Sequence, residues 1–139
     1  MKDFTTYLIF DGNCRDAMTF YKKCLDANLD IFSFGDSPTP MPEGSKDRTM
    51  HARLSKGGAN LMASDNMPGM PFTLGNNFSI SIDCDNPEEI DRLFNALGEN
   101  GKVTMPLQKT FWAARFGMLT DQFGIQWMFN LNEPGQQPS

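Results

Sequence analysis

No apolar run in this chain of 139 residues approaches the ~20 residues that a bilayer-spanning helix needs, so no membrane association is expected. A surplus of basic charge is missing too: 12 Lys+Arg stand against 17 Asp+Glu, a net charge of −5, and the basic residues are scattered. A nucleic-acid footprint needs clustered basic residues, so nucleic-acid partners are not expected either. Cysteine is sparse. Cys14, Cys24 and Cys84 form no CxxC pair and fall short of the even, dense set of a disulfide scaffold or a structural zinc site. Cys14 and Cys24 lie on one expected helix, about 15 Å apart at 1.5 Å rise per residue, which is too far for a bridge. Histidine is rarer still, since His51 is the only one. The opening MKDFTTYLIF runs straight into strand-like sequence without the pattern of a secretory leader, so a cytoplasmic chain with reduced thiols is expected.

What is present reads as one globular domain. Hydrophobic residues at 40% and charged residues at 21% lie far from the composition of a disordered chain. Residues 4–10 are apolar, β-branched or aromatic and suit a strand, broken by Asp11-Gly12 with Asn13 as N-cap. From 14 to 27 the apolar positions Cys14, Ala17, Met18, Tyr21, Cys24 and Leu25 recur at helical spacing, with Asp16 early and Lys22 and Lys23 late. A second strand at 29–34 leads into a proline-rich loop at 35–47, too long for a hairpin and read as mobile or functional. Strands at 49–55 and 59–63 flank Lys56-Gly57-Gly58, a hairpin signal, before a Met-rich loop at 64–74.

The order then repeats. Residues 78–83 read as a strand. Asn86-Pro87-Glu88-Glu89 is a helix start, and Ile90, Leu93, Phe94 and Leu97 supply the apolar stripe. Strands follow at 103–107, 111–119 and 125–131, and the tail from 133 to 139 is expected to be flexible. Each half is therefore strand–helix–strand–strand–strand, a duplicated βαβββ unit with unit one at about 4–64 and unit two at about 77–131 of a single domain 1–132. The expected fold class is α+β, with curved sheets around a cleft where a ligand would sit.

The phrases YLIFDGNCRDAMTFY, MHARLSKGGANLMASDN, NGKVTMPL and KTFWAARFGMLTDQFGIQWMFN closely resemble the PhnB-like branch of the vicinal oxygen chelate superfamily. This is the glyoxalase/bleomycin resistance/dioxygenase group, and the likeness spans residues 4 to about 131. The branch has also carried the label of a demethylubiquinone methyltransferase-type domain. The chain shows no Gly-rich strand-to-helix loop of the kind that seats a nucleotide-like cofactor in a doubly wound sheet.

The resemblance implies a divalent metal held by His or Glu on inner strand faces, where it would polarise neighbouring substrate oxygens. In this sequence the matching positions fall on Thr6 or Thr5, on Arg53 with His51 two residues away, on Asn77 or Ser79, and on Met128 with Gln126 nearby. That set has one imidazole and no carboxylate, so no metal or other cofactor is expected, and a divalent ion is disfavoured. The resemblance also implies a homodimer.

Without a metal, His51 is the candidate catalytic base, against the plainer reading of a histidine satisfied by a neighbour. Arg53 could clamp a carboxylate or phosphonate, or form an ordinary surface ion pair. Cys14, at a helix N-terminus beside Arg15, is read chiefly as helix packing and secondarily as a reactive thiol. Alternation places Phe123, Ile125, Trp127 and Phe129 on one face, mostly as core. Trp112 and Phe116, with Arg115 beside them, and Trp127 are the aromatic candidates for a ligand wall. Metal-free binding of a small apolar or acidic molecule is the expected function. The alternative is a superfamily enzyme, of lyase, isomerase or dioxygenase type, using His51 as base or in an atypical metal site.

Overall fold

The computed structural model describes residues 1–135 and divides into two compact units, Met1–Thr73 and Leu74–Ser139. Unit one contains β1 (Tyr7–Phe10), α1 (Cys14–Leu25), β2 (Asn28–Ser33), β3 (Thr49–Lys56) and β4 (Ala59–Asp65). A short 3-10 turn, Phe34–Asp36, follows β2. Unit two contains β5 (Ile80–Cys84), α2 (Pro87–Leu97), β6 (Lys102–Gln108), β7 (Arg115–Thr120) and β8 (Gln126–Leu131). The fold class is α+β, and each unit is one helix laid on one curved four-stranded sheet. The expected element order holds in both halves.

The two sheets share one plan. Unit one runs β1-β4-β3-β2 and unit two β5-β8-β7-β6. The first strand of each unit pairs parallel with the last, and the other pairings are antiparallel. The end pairs are Phe10 with Asp65 and Cys84 with Leu131. They give offsets of 84 − 10 = 74 and 131 − 65 = 66 between matching positions.

In unit one the helix stripe Cys14, Ala17, Met18, Tyr21 and Cys24 is buried. It meets one side of the sheet, where Leu8, Phe10, Ala52, Leu54, Leu61 and Ala63 are also buried. Each large apolar side chain so enclosed contributes about 1.5–3 kcal/mol, which fixes the strand phase. In unit two Ile90, Leu93, Phe94 and Leu97 pack on a side carrying Leu119, Trp127, Phe129 and Leu131. Phe94 meets Phe129 edge-on, with ring centroids 5.2 Å apart. Gly117 lets α2 sit this close, because a Cβ there would lie 2.9 Å from Phe94 Cε2 and 2.8 Å from Leu107 Cδ2.

Several element ends differ from expectation. β1 begins at Tyr7 rather than Phe4, which is 87% exposed. β7 begins at Arg115, leaving Phe111 and Trp112 in the loop before it. The long loop after β2 is tied down: Phe34 N–H donates to Arg48 O, Gly35 N–H to Lys46 O, and Ser45 is buried. Residues 136–139 of the expected tail lie outside the described residues, and Glu133 at its start reaches Lys109 at 3.7 Å. No helix among the described residues is long and apolar enough to cross a membrane.

Candidate functional site

The side of each sheet that carries no helix is where side chains are left for chemistry. In unit one the register Tyr7–Met62–Arg53–Asp30 runs straight across all four strands. Pleating then places Ile9, Ser64, His51 and Phe32 on the same side. Tyr7, Ile9 and Phe32 are exposed there, while Met62 and His51 are half-buried.

His51 does not stand alone. The Tyr7 hydroxyl lies 3.1 Å from His51 Nδ1, reaching across β4, and the two rings are tilted with centroids 5.8 Å apart. Arg53 is oriented by Asn60, whose Oδ1 accepts from Nε at 3.3 Å and from Nη2 at 3.0 Å. Among the described residues, no carboxylate forms an ion pair with Arg53. The structure thus brings His51 and Arg53 to one face, with Cα atoms about 7 Å apart. It adds two groups that the sequence reading missed. The signal for Tyr7 was ambiguous because Tyr7, Leu8, Ile9 and Phe10 are all apolar or aromatic, so hydrophobicity could not set the strand phase.

In unit two the helix-free side carries Ser81, Met128, Met118 and Met105 in one register row, with Phe116 and Asn130 paired beside them. Trp112 packs edge-on against Phe116, centroids 5.5 Å apart, and is 40% exposed. Trp112 and Phe116 therefore form one aromatic group. Trp127 does not join it. Its indole is 1% exposed on the helix side, and its Nε1–H donates to Asp121 Oδ2 at 2.8 Å. Strand alternation thus correctly grouped Trp127 with Phe129 on the buried, helix-facing side. Arg115 likewise turns to the helix side, where it pairs with Asp91 of α2.

Buried Asp121 is a structural carboxylate: besides the indole, it accepts from Phe123 N–H and Ile125 N–H in the turn containing Gly124. Asp65 has the corresponding task in unit one. It accepts from Gly12 N–H and Thr49 N–H at 2.8 Å and from Cys14 N–H at 3.0 Å. The expected N-cap, Asn13, makes no side-chain cap bond; the carboxylate from the end of β4 does that work instead.

This environment also settles Cys14. Burial, and then the Asp65 charge, push its thiol up from 9.0 to about 12, against smaller opposing effects of Thr49 and Arg15. Cys84 is pushed up to about 12 by burial and the nearby charges of Glu89, Asp83 and Asp85. Neither is the low-pKa thiol of a nucleophile, and all three cysteines are buried and free of disulfides.

The donor set does not fit the divalent metal that the sequence resemblance implies. Unit one offers one imidazole beside a guanidinium that would repel a cation, and Met128 on the helix-free side of β8 offers a thioether. Hard divalent ions call for carboxylates and imidazoles. Among the described residues, no three His, Cys, Asp or Glu side chains are grouped to hold an ion.

Known proteins share this plan. The family model described as 3-demethylubiquinone-9 3-methyltransferase matches residues 2–129. Protein YjdN of Escherichia coli (strain K12) is 36% identical over 144 residues, covering 96% of this chain and 96% of that protein. The crystal structure of PA1353 from Pseudomonas aeruginosa is similar at 50% identity and a TM-score of 0.87, covering 95% of this chain and 98% of that one. A PhnB protein from Bacillus cereus is similar at 31% identity and a TM-score of 0.77, covering 94% and 99%. A glyoxylase/bleomycin resistance protein/dioxygenase domain from Frankia sp. EAN1pec shares the fold alone, at 16% identity and a TM-score of 0.64 over 96% and 98%. By its sequence over nearly its whole length the chain belongs to the PhnB-like family, and its fold is the one seen in glyoxalase/bleomycin resistance/dioxygenase proteins.

Proposed function

We propose that this chain binds a small acidic or apolar molecule on the helix-free side of a sheet, without a divalent metal. The observation that supports this reading best is Arg53: a cation on a half-apolar face, aligned by the neutral amide of Asn60 and paired with no carboxylate among the described residues. A guanidinium so arranged keeps its charge for an incoming anion. Trp112 and Phe116 of unit two offer flat apolar area at low entropic cost. The methyltransferase in the family's description does not suit the topology. Each sheet has one parallel pair and two antiparallel pairs, not the parallel run that seats a nucleotide-like cofactor.

A thermal-shift panel of aromatic and aliphatic carboxylates, phosphonates and divalent ions tests the proposal. Stabilisation by at least one organic anion is expected, and Arg53→Ala should weaken that anion's affinity by about tenfold or more, the loss of one charge-assisted contact. One tightly held metal per chain, released by His51→Ala, would overturn it.

A second reading, an enzyme using His51 as base, requires the opposite sense of the Tyr7–His51 contact, with Nδ1–H donating to the Tyr7 hydroxyl and Nε2 left unprotonated.

A further inference from the structure

Tyr7 carries a phenol whose hydroxyl meets His51 Nδ1 at 3.1 Å, and this pairing bears on what His51 can do. A phenol has one proton to donate, and a neutral imidazole has one nitrogen that accepts and one that donates. The Tyr7 hydroxyl can donate to His51 Nδ1 or accept from it, and the tautomer of the ring decides which. If Nδ1 accepts, the neutral ring must carry its own proton on Nε2. His51 then presents an N–H to a ligand, not a lone pair.

The neighbours on this face agree with a receptor for negative charge. Arg53 lies two residues along β3, and Asn60 takes its Nε–H and one Nη2–H. Of the five N–H donors of a guanidinium, the two on Nη1 and the second on Nη2 remain. The one acid in the same register row is Asp30, an exposed residue opposite Arg53 on β2, and it forms no ion pair with Arg53. Tyr7, Ile9, Met62 and Phe32 surround these donors with apolar and aromatic surface.

We propose that Tyr7 is a positioning residue that holds His51 as an Nε2–H donor, so that His51 and Arg53 together receive a small organic oxyanion, a carboxylate or phosphonate with an apolar substituent. The proposal rests on the binding reading above and narrows it, because a histidine fixed in this tautomer serves as a donor to the anion rather than as the resting-state base.

Because the chain has a single histidine, nitrogen NMR of the full-length protein reads the ring without assignment. At a pH where the ring is neutral, Nδ1 should be unprotonated and Nε2 protonated, and Tyr7→Phe should restore a detectable share of the other tautomer. Benzoate and phenylphosphonate are the probes for binding. Tyr7→Phe should weaken each about fivefold, the worth of one neutral hydrogen bond, and His51→Leu should weaken them at least as much. Addition of either probe should shift the Nε2–H proton.

A ring proton found on Nδ1 in the unaltered protein would overturn the proposal without any ligand. So would binding that depends on Arg53 but ignores both Tyr7→Phe and His51→Leu; that result leaves the broader binding reading intact. Failure of both anions to bind at millimolar concentration removes the receptor, and the tautomer measurement still decides the role of Tyr7.

Discussion

The three cysteines show how a residue's neighbours override its position. Cys14 opens α1, where backbone N–H groups and the helix dipole ordinarily lower a thiol pKa. Here the N–H groups of Gly12 and Cys14 are already taken by Asp65, so the carboxylate's negative charge faces the sulfur in place of the helix end. With burial the larger cause, the thiol rises to about 12 from 9.0, as does that of Cys84. The linkage sign follows directly. A group whose folded pKa is raised keeps its proton in the native state while the unfolded chain begins to lose it. The stability these two thiols support is full below pH 9 and falls progressively as the pH climbs toward 12. Native protein at pH 8 should therefore resist iodoacetamide at Cys14 and Cys84, whereas urea-unfolded protein should take up label at all three cysteines, as read by intact mass. Rapid labelling of native Cys14 at pH 8 would show the thiol to be exposed and ionised after all.

At the scale of elements, the two units solve one problem in two ways. Both helices must satisfy the N–H groups of a first turn that follows a strand. In unit two the cap is local: Asn86 Oδ1 accepts from Glu89 N–H at 2.8 Å, Pro87 needs no partner, and Glu89 reaches back to Asp85 N–H. In unit one the cap is remote, supplied by Asp65 from the far end of β4. Asp65→Ala should accordingly cost more than a local cap. It strands three backbone donors, and a loss of about 3 kcal/mol or more is expected in urea unfolding, against about 1 kcal/mol for Asn86→Ala. Equal losses for the two variants would show that water replaces Asp65 freely. The same contrast explains what was legible in the sequence. The α2 start was readable because its signals are contiguous. The α1 cap was misplaced on Asn13 because the group that does the work is 51 residues away. Strand phase was recoverable in β8, where large apolar residues alternate with Gln126, Met128 and Asn130. It was not recoverable in β1, where every residue is apolar or aromatic. For that reason the face holding His51 and Arg53 could be proposed from sequence while Tyr7, its third member, could not. Asn60 was missed for a different reason: an amide in a hairpin strand carries no pattern of its own.

For the whole molecule, the duplication sets the terms. Matching sheet positions lie 74 residues apart at the first strands and 66 apart at the last, yet the residues there differ: Phe10 and Asp65 in one unit, Cys84 and Leu131 in the other. A common topology thus persists while the chemistry of each half diverges, with Tyr, His and Arg on the helix-free side of unit one and Met, Phe and Trp on that of unit two. Each four-stranded sheet ends in two edge strands, and several large apolar side chains remain exposed, including Phe111 at 97%, Phe32 at 54% and Ile9 at 48%. Isolated exposed apolar residues are ordinary, but Tyr7, Ile9 and Phe32 share one sheet face, and a shared face is what association covers. A net charge of −5 is too small to keep two such chains apart at physiological ionic strength. We therefore expect a homodimer, as symmetric pairing is the commonest way for a soluble chain to bury a surface of this kind. Light scattering should return twice the chain mass of 15.6 kDa at micromolar concentration. The ligand experiment bears on the same surface. If Tyr7, Ile9 and Phe32 are buried between two copies, Ile9→Glu should give monomers in the same light-scattering measurement. If they are not, a monomeric mass for the unaltered protein leaves the whole of that face to the ligand.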